Sequence, residues 1–176
     1  SAFALKAFEA QGMAFHTGAT VKSLKTGKGG VTATIEADGK TEKITVERVI
    51  LAVGIVGNVE DLGLEEAGVT TEKTHIVTDG LGRTGVPGLY AIGDVAGPPW
   101  LAHKASHEGI ICVKAINGSD GVHALDTSRI PGCTYCHPQV ASIGMTEAAA
   151  KEKGIDVHVG RFPFQGNGKA IALGEP

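Results

Sequence analysis

Two groups of residues in this sequence have types and spacing suited to chemistry. The first is Cys133-Thr134-Tyr135-Cys136-His137, which fits both a redox Cys-x-x-Cys and the Cys-x-x-Cys-His of covalent haem attachment. The second is Asp94, which follows the apolar run Leu89-Tyr90-Ala91-Ile92-Gly93 and precedes Trp100-Leu101-Ala102-His103-Lys104-Ala105. A carboxylate after a buried strand can accept a hydrogen bond from a ligand hydroxyl, because open α/β sheets place ligands at the carboxyl ends of their strands. A helix starting near Leu101 would add amides without intrahelical acceptors and the positive end of a helix dipole. Together these supply one acceptor and a patch of donors for an electron-rich group.

The surroundings separate the two groups. A thioredoxin-like pair belongs at a helix start after a βαβ strand, and haem attachment needs a small helical fold with an axial partner. Residues 130–144 instead alternate towards a strand, with Pro138 directly after His137. On a strand, Cys133 and Cys136 would point to opposite faces. Zinc takes four ligands and only His137 is adjacent, so no metal site is expected. Cys112, among Ile110, Ile111 and Val113, reads as a small buried apolar residue. No catalytic residue is assigned. His137 has no neighbouring carboxylate to orient it, Glu108 adjoins His107 on a helix where successive residues do not face each other, and His75 reads as a solvated loop residue.

The elements that must position Asp94 follow from local pattern. Val86-Pro87-Gly88 is turn chemistry, and residues 89–92 form a short apolar run typical of a strand buried on both faces. A helix is predicted from Leu101 through Ala115 with a stop at Asn117-Gly118, and its scattered apolar positions predict deep burial. Upstream, residues 1–11 read as the end of a helix stopped by Gly12, and residues 13–16 as a short strand. Residues 21–26 and 31–37 alternate around Gly27-Lys28-Gly29-Gly30 as a hairpin. That turn lacks the Gly-Lys-Ser/Thr ending of a phosphate loop. A second turn at Asp38-Gly39-Lys40 leads to a strand at 44–46, and residues 49–53 predict a second fully buried strand ending at Gly54. A short helix over 60–67 and a strand at 76–77 follow. Residues 119–128 are polar and turn-rich and suggest a boundary. Beyond it, Thr146 should cap a helix over 147–153 closed by Gly154, and residues 157–164 alternate as a strand. The fold class is α/β, mixed, with a β-meander.

Ala91-Ile92-Gly93-Asp94, followed by Trp100-Leu101-Ala102-His103-Lys104-Ala105, closely resembles the second FAD-contacting motif of the flavoprotein disulfide reductases. The Leu-Ala-His-Lys-Ala form resembles the dihydrolipoamide dehydrogenase branch of that family. Carried over residue by residue, the resemblance implies that Asp94 meets the ribityl chain and that Trp100, Leu101, Ala102 and His103 line the flavin. It also implies that Val21 and Gly54 approach NAD. Where the family usually has Arg-Arg-Pro-Asn after that glycine, this chain has Ile55-Val56-Gly57-Asn58.

The organisation so implied is the C-terminal half of a Rossmann-type NAD-binding domain over 1–57, a central FAD-contacting region over 58–128, and the start of an α+β dimerisation domain over 129–176. The activity implied for a parent enzyme is reoxidation of a protein-bound dihydrolipoyl group, with electrons passing through a redox disulfide and FAD to NAD. Its partners would be the lipoyl domain of a 2-oxo acid dehydrogenase complex and a second copy of itself. Alternatives are another disulfide reductase, such as glutathione or mercuric reductase, a small electron carrier built on Cys133, Cys136 and His137, or a non-catalytic oligomerising module. The family's Cys-x4-Cys, its Gly-rich dinucleotide motifs and its C-terminal His-Glu pair do not occur in these residues. A fragment is therefore expected, inactive alone and holding neither FAD nor NAD tightly.

Composition is compatible with this and narrows the rest. The 176 residues carry a net charge of -3, which gives no footprint for nucleic acid or an anionic membrane, and 26 glycines predict many tight turns. No apolar run is long enough to span a bilayer, and the first residues lack a signal-peptide layout. A bacterial cytoplasm is the expected compartment, with the mitochondrial matrix as second choice.

Overall fold

The computed structural model describes residues 1–175 of a mixed α/β chain with small antiparallel sheets. It divides into two units, one of residues 1–125 with 133–140, the other of residues 126–132 with the chain from 141 onward.

The first unit opens with α1 (Ala2–Ala10), which ends where Gly12 takes a φ of 91°. A three-stranded meander follows in the order β1 (Thr20–Gly27), β2 (Gly30–Ala37) and β3 (Lys40–Val46), antiparallel throughout. The expected hairpin turns are where the glycines placed them. Gly30 has a φ of 119°, and a Cβ there would collide with the Val46 carbonyl, so only glycine joins β1 to β2 with β3 alongside. The Gly27–Gly30 segment is thus a hairpin turn between strands, with no helix to make it a phosphate loop.

A short ribbon, β4 (Thr71–Glu72) and β5 (His75–Ile76), brings Ile76 against Val69 and Ala91. These three buried side chains, with Val59, Leu64, Val86 and Val95 packed on them, form the small core beneath the Asp94 segment. A 3-10 turn at Gly93–Ala96 leads to α2 (Ala102–Ile116), which stops at Asn117 and Gly118 as its sequence predicts. Strands β6 (Gly132–Thr134) and β7 (Val140–Ser142) make a two-stranded ribbon.

In the second unit α3 (Glu147–Glu152) is capped by Thr146, whose hydroxyl accepts from the Ala149 amide at 3.2 Å, and Gly154 closes it with a φ of 68°. A further helix, α4 (Gly168–Leu173), lies outside the sequence expectations. The Asn167 side chain accepts from the amides of Lys169 and Ala170, and Gly174 takes a φ of 72°.

Several expected strands are not strands. Residues 49–53 form no strand, with a bend at Val53, and Ile50, Leu51 and Val53 are 90%, 78% and 85% exposed. Residues 89–92 make a single bridge, Arg83 with Tyr90, and only Ala91 is buried. An apolar run becomes a buried strand only when a continuous ladder satisfies its amides and carbonyls. Residues 49–53 have no ladder partner among the described residues, and residues 89–92 have only the local contacts of the 82–91 turn, such as the Ala91 amide donating to the Gly82 carbonyl at 2.9 Å. Residues 13–16 and 157–164 are likewise irregular, residues 60–67 are turns, and residues 130–144 fold back as β6 and β7 around Pro138. Deep burial of α2 is also not observed: Ile110, Val113 and Ile116 are exposed, and only Lys104 and Cys112 are buried.

Candidate functional site

The Asp94 segment is built on a glycine. Ile92 is extended, Gly93 takes a φ of 76°, and the chain turns through the 3-10 segment so that the Asp94 carboxylate is exposed. A Cβ on Gly93 would lie 3.3 Å from the Ala105 methyl, so the glycine also lets α2 approach the turn closely.

Two side chains of α2 fasten that turn. Lys104, 1% exposed, donates from Nζ to the Gly93 carbonyl at 3.0 Å and the Gly97 carbonyl at 2.7 Å, and pairs with Glu108 Oε1 at 2.9 Å. These three acceptors satisfy the three N–H bonds of an ammonium, which is what a buried cation requires. Glu108 Oε2 accepts from the Gly93 amide at 2.7 Å, so α2 holds both polar groups of Gly93. Neither Lys104 nor Glu108 is among the residues that motif reasoning assigned to the site. Their i,i+4 spacing on a predicted helix was the available signal, because such pairs share a face.

Helix α2 begins beside this turn. Its N-cap is Leu101, and the Ala105 amide is the first to find an acceptor in the helix, at Leu101 O across 3.1 Å. The amides of Ala102 and Lys104 precede it, at the positive end of a 15-residue helix. An exposed carboxylate next to such a helix start fits a ligand with hydroxyls on one side and an electron-rich edge on the other.

Trp100 stands at the same corner, and His75 is not the solvated residue the sequence suggested. The Trp100 indole Nε1 donates to His75 Nε2 at 3.2 Å, and the rings stack with centroids 5.8 Å apart. The two residues are distant in sequence, so local pattern gave no sign of the contact. The segment that leads in is held by Asp79, whose Oδ1 accepts from the Leu81 and Arg83 amides at 2.9 Å each. The Arg83 amide, the Leu81 amide and the Arg83 guanidinium together hold the Asp79 carboxyl below its usual pKa.

The turn and helix start therefore bring Asp94, Trp100, Leu101, Ala102 and His103 into one stretch. Val21 and Gly54 lie on other elements. Val21 is exposed on β1 opposite Ile35, and Gly54 follows the exposed 49–53 run with a φ of 121° and no atom within 4 Å of where a Cβ would lie. Gly54 is thus explained here by backbone conformation and not by close packing. Cys133 is exposed on β6, Cys136 turns its thiol to the Pro138 carbonyl at 3.1 Å, and Cys112 is buried, all three as free thiols. Among the described residues no group of three His, Cys, Asp or Glu side chains is placed to hold a metal, and no helix is long and apolar enough to cross a membrane.

Comparison with known proteins adds to this geometry. Residues 1–109 match the family described as pyridine nucleotide-disulphide oxidoreductase, and residues 130–176 match its dimerisation domain. The chain is 56% identical to a dihydrolipoyl dehydrogenase of Rhizobium etli, over 99% of this chain and 37% of that protein. It is 50% identical to a dihydrolipoyl dehydrogenase of Zymomonas mobilis, over 99% of this chain and 38% of that protein. The chain thus spans little more than a third of the length of these relatives. Its fold is similar to that of LpdA from Mycobacterium tuberculosis, with a TM-score of 0.84 and 24% identity over 96% of this chain and 36% of that one. It is also similar to the HOCl-induced flavoprotein disulfide reductase RclA from Escherichia coli, with a TM-score of 0.82 and 22% identity over 96% of this chain and 38% of that one.

Proposed function

This chain belongs to the pyridine nucleotide-disulphide oxidoreductase family, and on that premise we propose that it carries part of the flavin and NAD sites of a dihydrolipoyl dehydrogenase. The observation that supports this most is the Asp94 turn, held by Lys104 and Glu108 directly ahead of the α2 start. In the parent enzyme, FAD would supply two-electron transfer between a dithiol and NAD. The residues of this chain bind and orient. Asp94 accepts from a ribityl hydroxyl, Trp100, Leu101, Ala102 and His103 line the ring system, and Val21 and Gly54 approach NAD. The helix start favours negative charge near it by about 0.3–2 kcal/mol. That preference raises the affinity for an electron-rich ring edge and performs no bond making.

The same reading divides the chain into an NAD-domain portion over 1–57, a central region over 58–128 and the start of a dimerisation domain over 129–176. Ile55 and Val56 stand where the family usually has two arginines, so any arginine contact at that point of the NAD site is absent from this reading. The match of residues 130–176 to a dimerisation domain supports a homodimeric parent. The names of the similar proteins support a lipoyl-bearing partner, and the bacterial relatives support a bacterial cytoplasm over a mitochondrial matrix. The isolated chain is inactive and holds FAD weakly. Flavin absorbance of the purified chain after FAD addition, together with a lipoamide assay, tests this. Turnover by the isolated chain would contradict it.

A further inference from the structure

We propose that Lys104 and Glu108 are a positioning couple whose role is to keep Asp94 available as a hydroxyl acceptor. The inference rests on the flavin reading of the site. Lys104 is a fully buried cation whose three acceptors are the Gly93 carbonyl, the Gly97 carbonyl and Glu108. The two carbonyls bracket Asp94 in the chain, so the ammonium sits beneath the very turn that carries this carboxylate. Its ion-pair partner is nevertheless Glu108, one helical turn along α2, and Asp94 is left exposed. Glu108 therefore does two things. One oxygen neutralises the Lys104 ammonium beneath the turn at 2.9 Å, and the other fixes the Gly93 amide at 2.7 Å. Gly93, with its φ of 76°, is the hinge whose orientation decides where Asp94 points.

A merely structural pair could be replaced by apolar side chains of similar size without loss. A positioning couple could not, because the Gly93 amide would lose its acceptor and the turn its register.

The test uses the purified chain and four variants, with FAD as the probe. Asp94→Asn tests the flavin reading. K104M/E108L removes both charges together, so no charge is buried alone. Glu108→Asp keeps the charge but draws the carboxylate back from the Gly93 amide, and it serves if the double variant does not fold. Lys104→Arg keeps the charge with a different donor geometry. The readouts are the thermal midpoint, the hydrogen-exchange rate of the Gly93 amide and the FAD dissociation constant from flavin fluorescence.

Both K104M/E108L and Glu108→Asp should keep a cooperative melt, exchange Gly93 at least about tenfold faster, and weaken FAD binding by about tenfold, as expected for one lost charge-assisted hydrogen bond. Lys104→Arg should fall between wild type and these. Unchanged Gly93 exchange in both would overturn the positioning role. So would faster exchange with unchanged FAD affinity while Asp94→Asn weakens it. If Asp94→Asn also leaves FAD binding unchanged, or the wild type shows none, the flavin reading fails and the proposal falls with it.

Discussion

The Trp100 indole donates a hydrogen bond to His75 Nε2 across 3.2 Å, joining β5 to the entry of α2. The chain has one tryptophan, so this contact can be read directly by its fluorescence. Substituting His75→Ala removes both the acceptor and a stacked ring, worth about 1 kcal/mol together. The expected outcome is a red-shifted emission maximum and a urea midpoint lowered by that amount. An unchanged emission spectrum would show that the pair is not formed in solution.

Lys104→Met alone leaves Glu108 without its cation and strips the donor from two carbonyls. Breaking one side of a fully buried pair costs about 3 kcal/mol, and the cost here is smaller because Glu108 is 21% exposed. Equilibrium urea unfolding should show this loss, and K104M/E108L should recover part of it, because it removes the stranded charge but leaves the Gly93 amide and the two carbonyls without their partners. Recovery by the double variant separates the cost of a stranded charge from the loss of packing.

Acid should weaken the segment ahead of Tyr90. The Asp79 carboxyl is lowered from 3.8, first by the Arg83 amide. A folded-state pKa below the unfolded one contributes stability that is fully present above 3.8 and is lost as the pH falls through the lowered value. The carboxylate is half exposed, so the effect is small. Asp79→Asn should lose less stability than wild type between pH 7 and pH 3, measured as the difference in urea midpoints. The opposite ordering would contradict the assignment. Asp126 carries the same sign, set first by the Ser128 hydroxyl.

The three thiols should be distinguishable by reactivity towards a disulfide reagent. Cys133 is exposed, Cys136 is partly covered, and Cys112 is 5% exposed. In the native chain Cys133 should react first and Cys112 at least about tenfold more slowly, since it waits on local opening. All three should react together in denaturant. Equal native rates would place Cys112 outside the packed part of α2.

Local signals were the legible ones. The bounds of α2 and α3, the Thr146 cap and the meander turns follow from residues within a few positions of each other, and the structure has them in place. The illegible parts depend on distant partners. The apolar pattern of residues 49–53 and 89–92 reports how a run would sit if a ladder flanked it, and does not report whether one is there. The His75–Trp100 contact and the burial of Lys104 likewise depend on how β5, the Asp94 turn and α2 meet. At the site, motif reasoning named the exposed acceptor, Asp94, and missed the pair that fastens it. Lys104 and Glu108 carry i,i+4 spacing, but a charged pair on a helix usually faces water, and here the packing of α2 against Gly93 turns it inward.

The central claim, that the Asp94 turn and the α2 start contact flavin, is tested most directly by titrating the isotope-labelled chain with FAD and following its backbone amides. Weak binding is no obstacle, because shifts report fractional occupancy. Perturbations should concentrate at Gly93, Asp94 and Trp100 to Lys104, with the β1–β2 hairpin unaffected by FAD. No perturbation at millimolar FAD, or one centred away from the Asp94 turn, would contradict it.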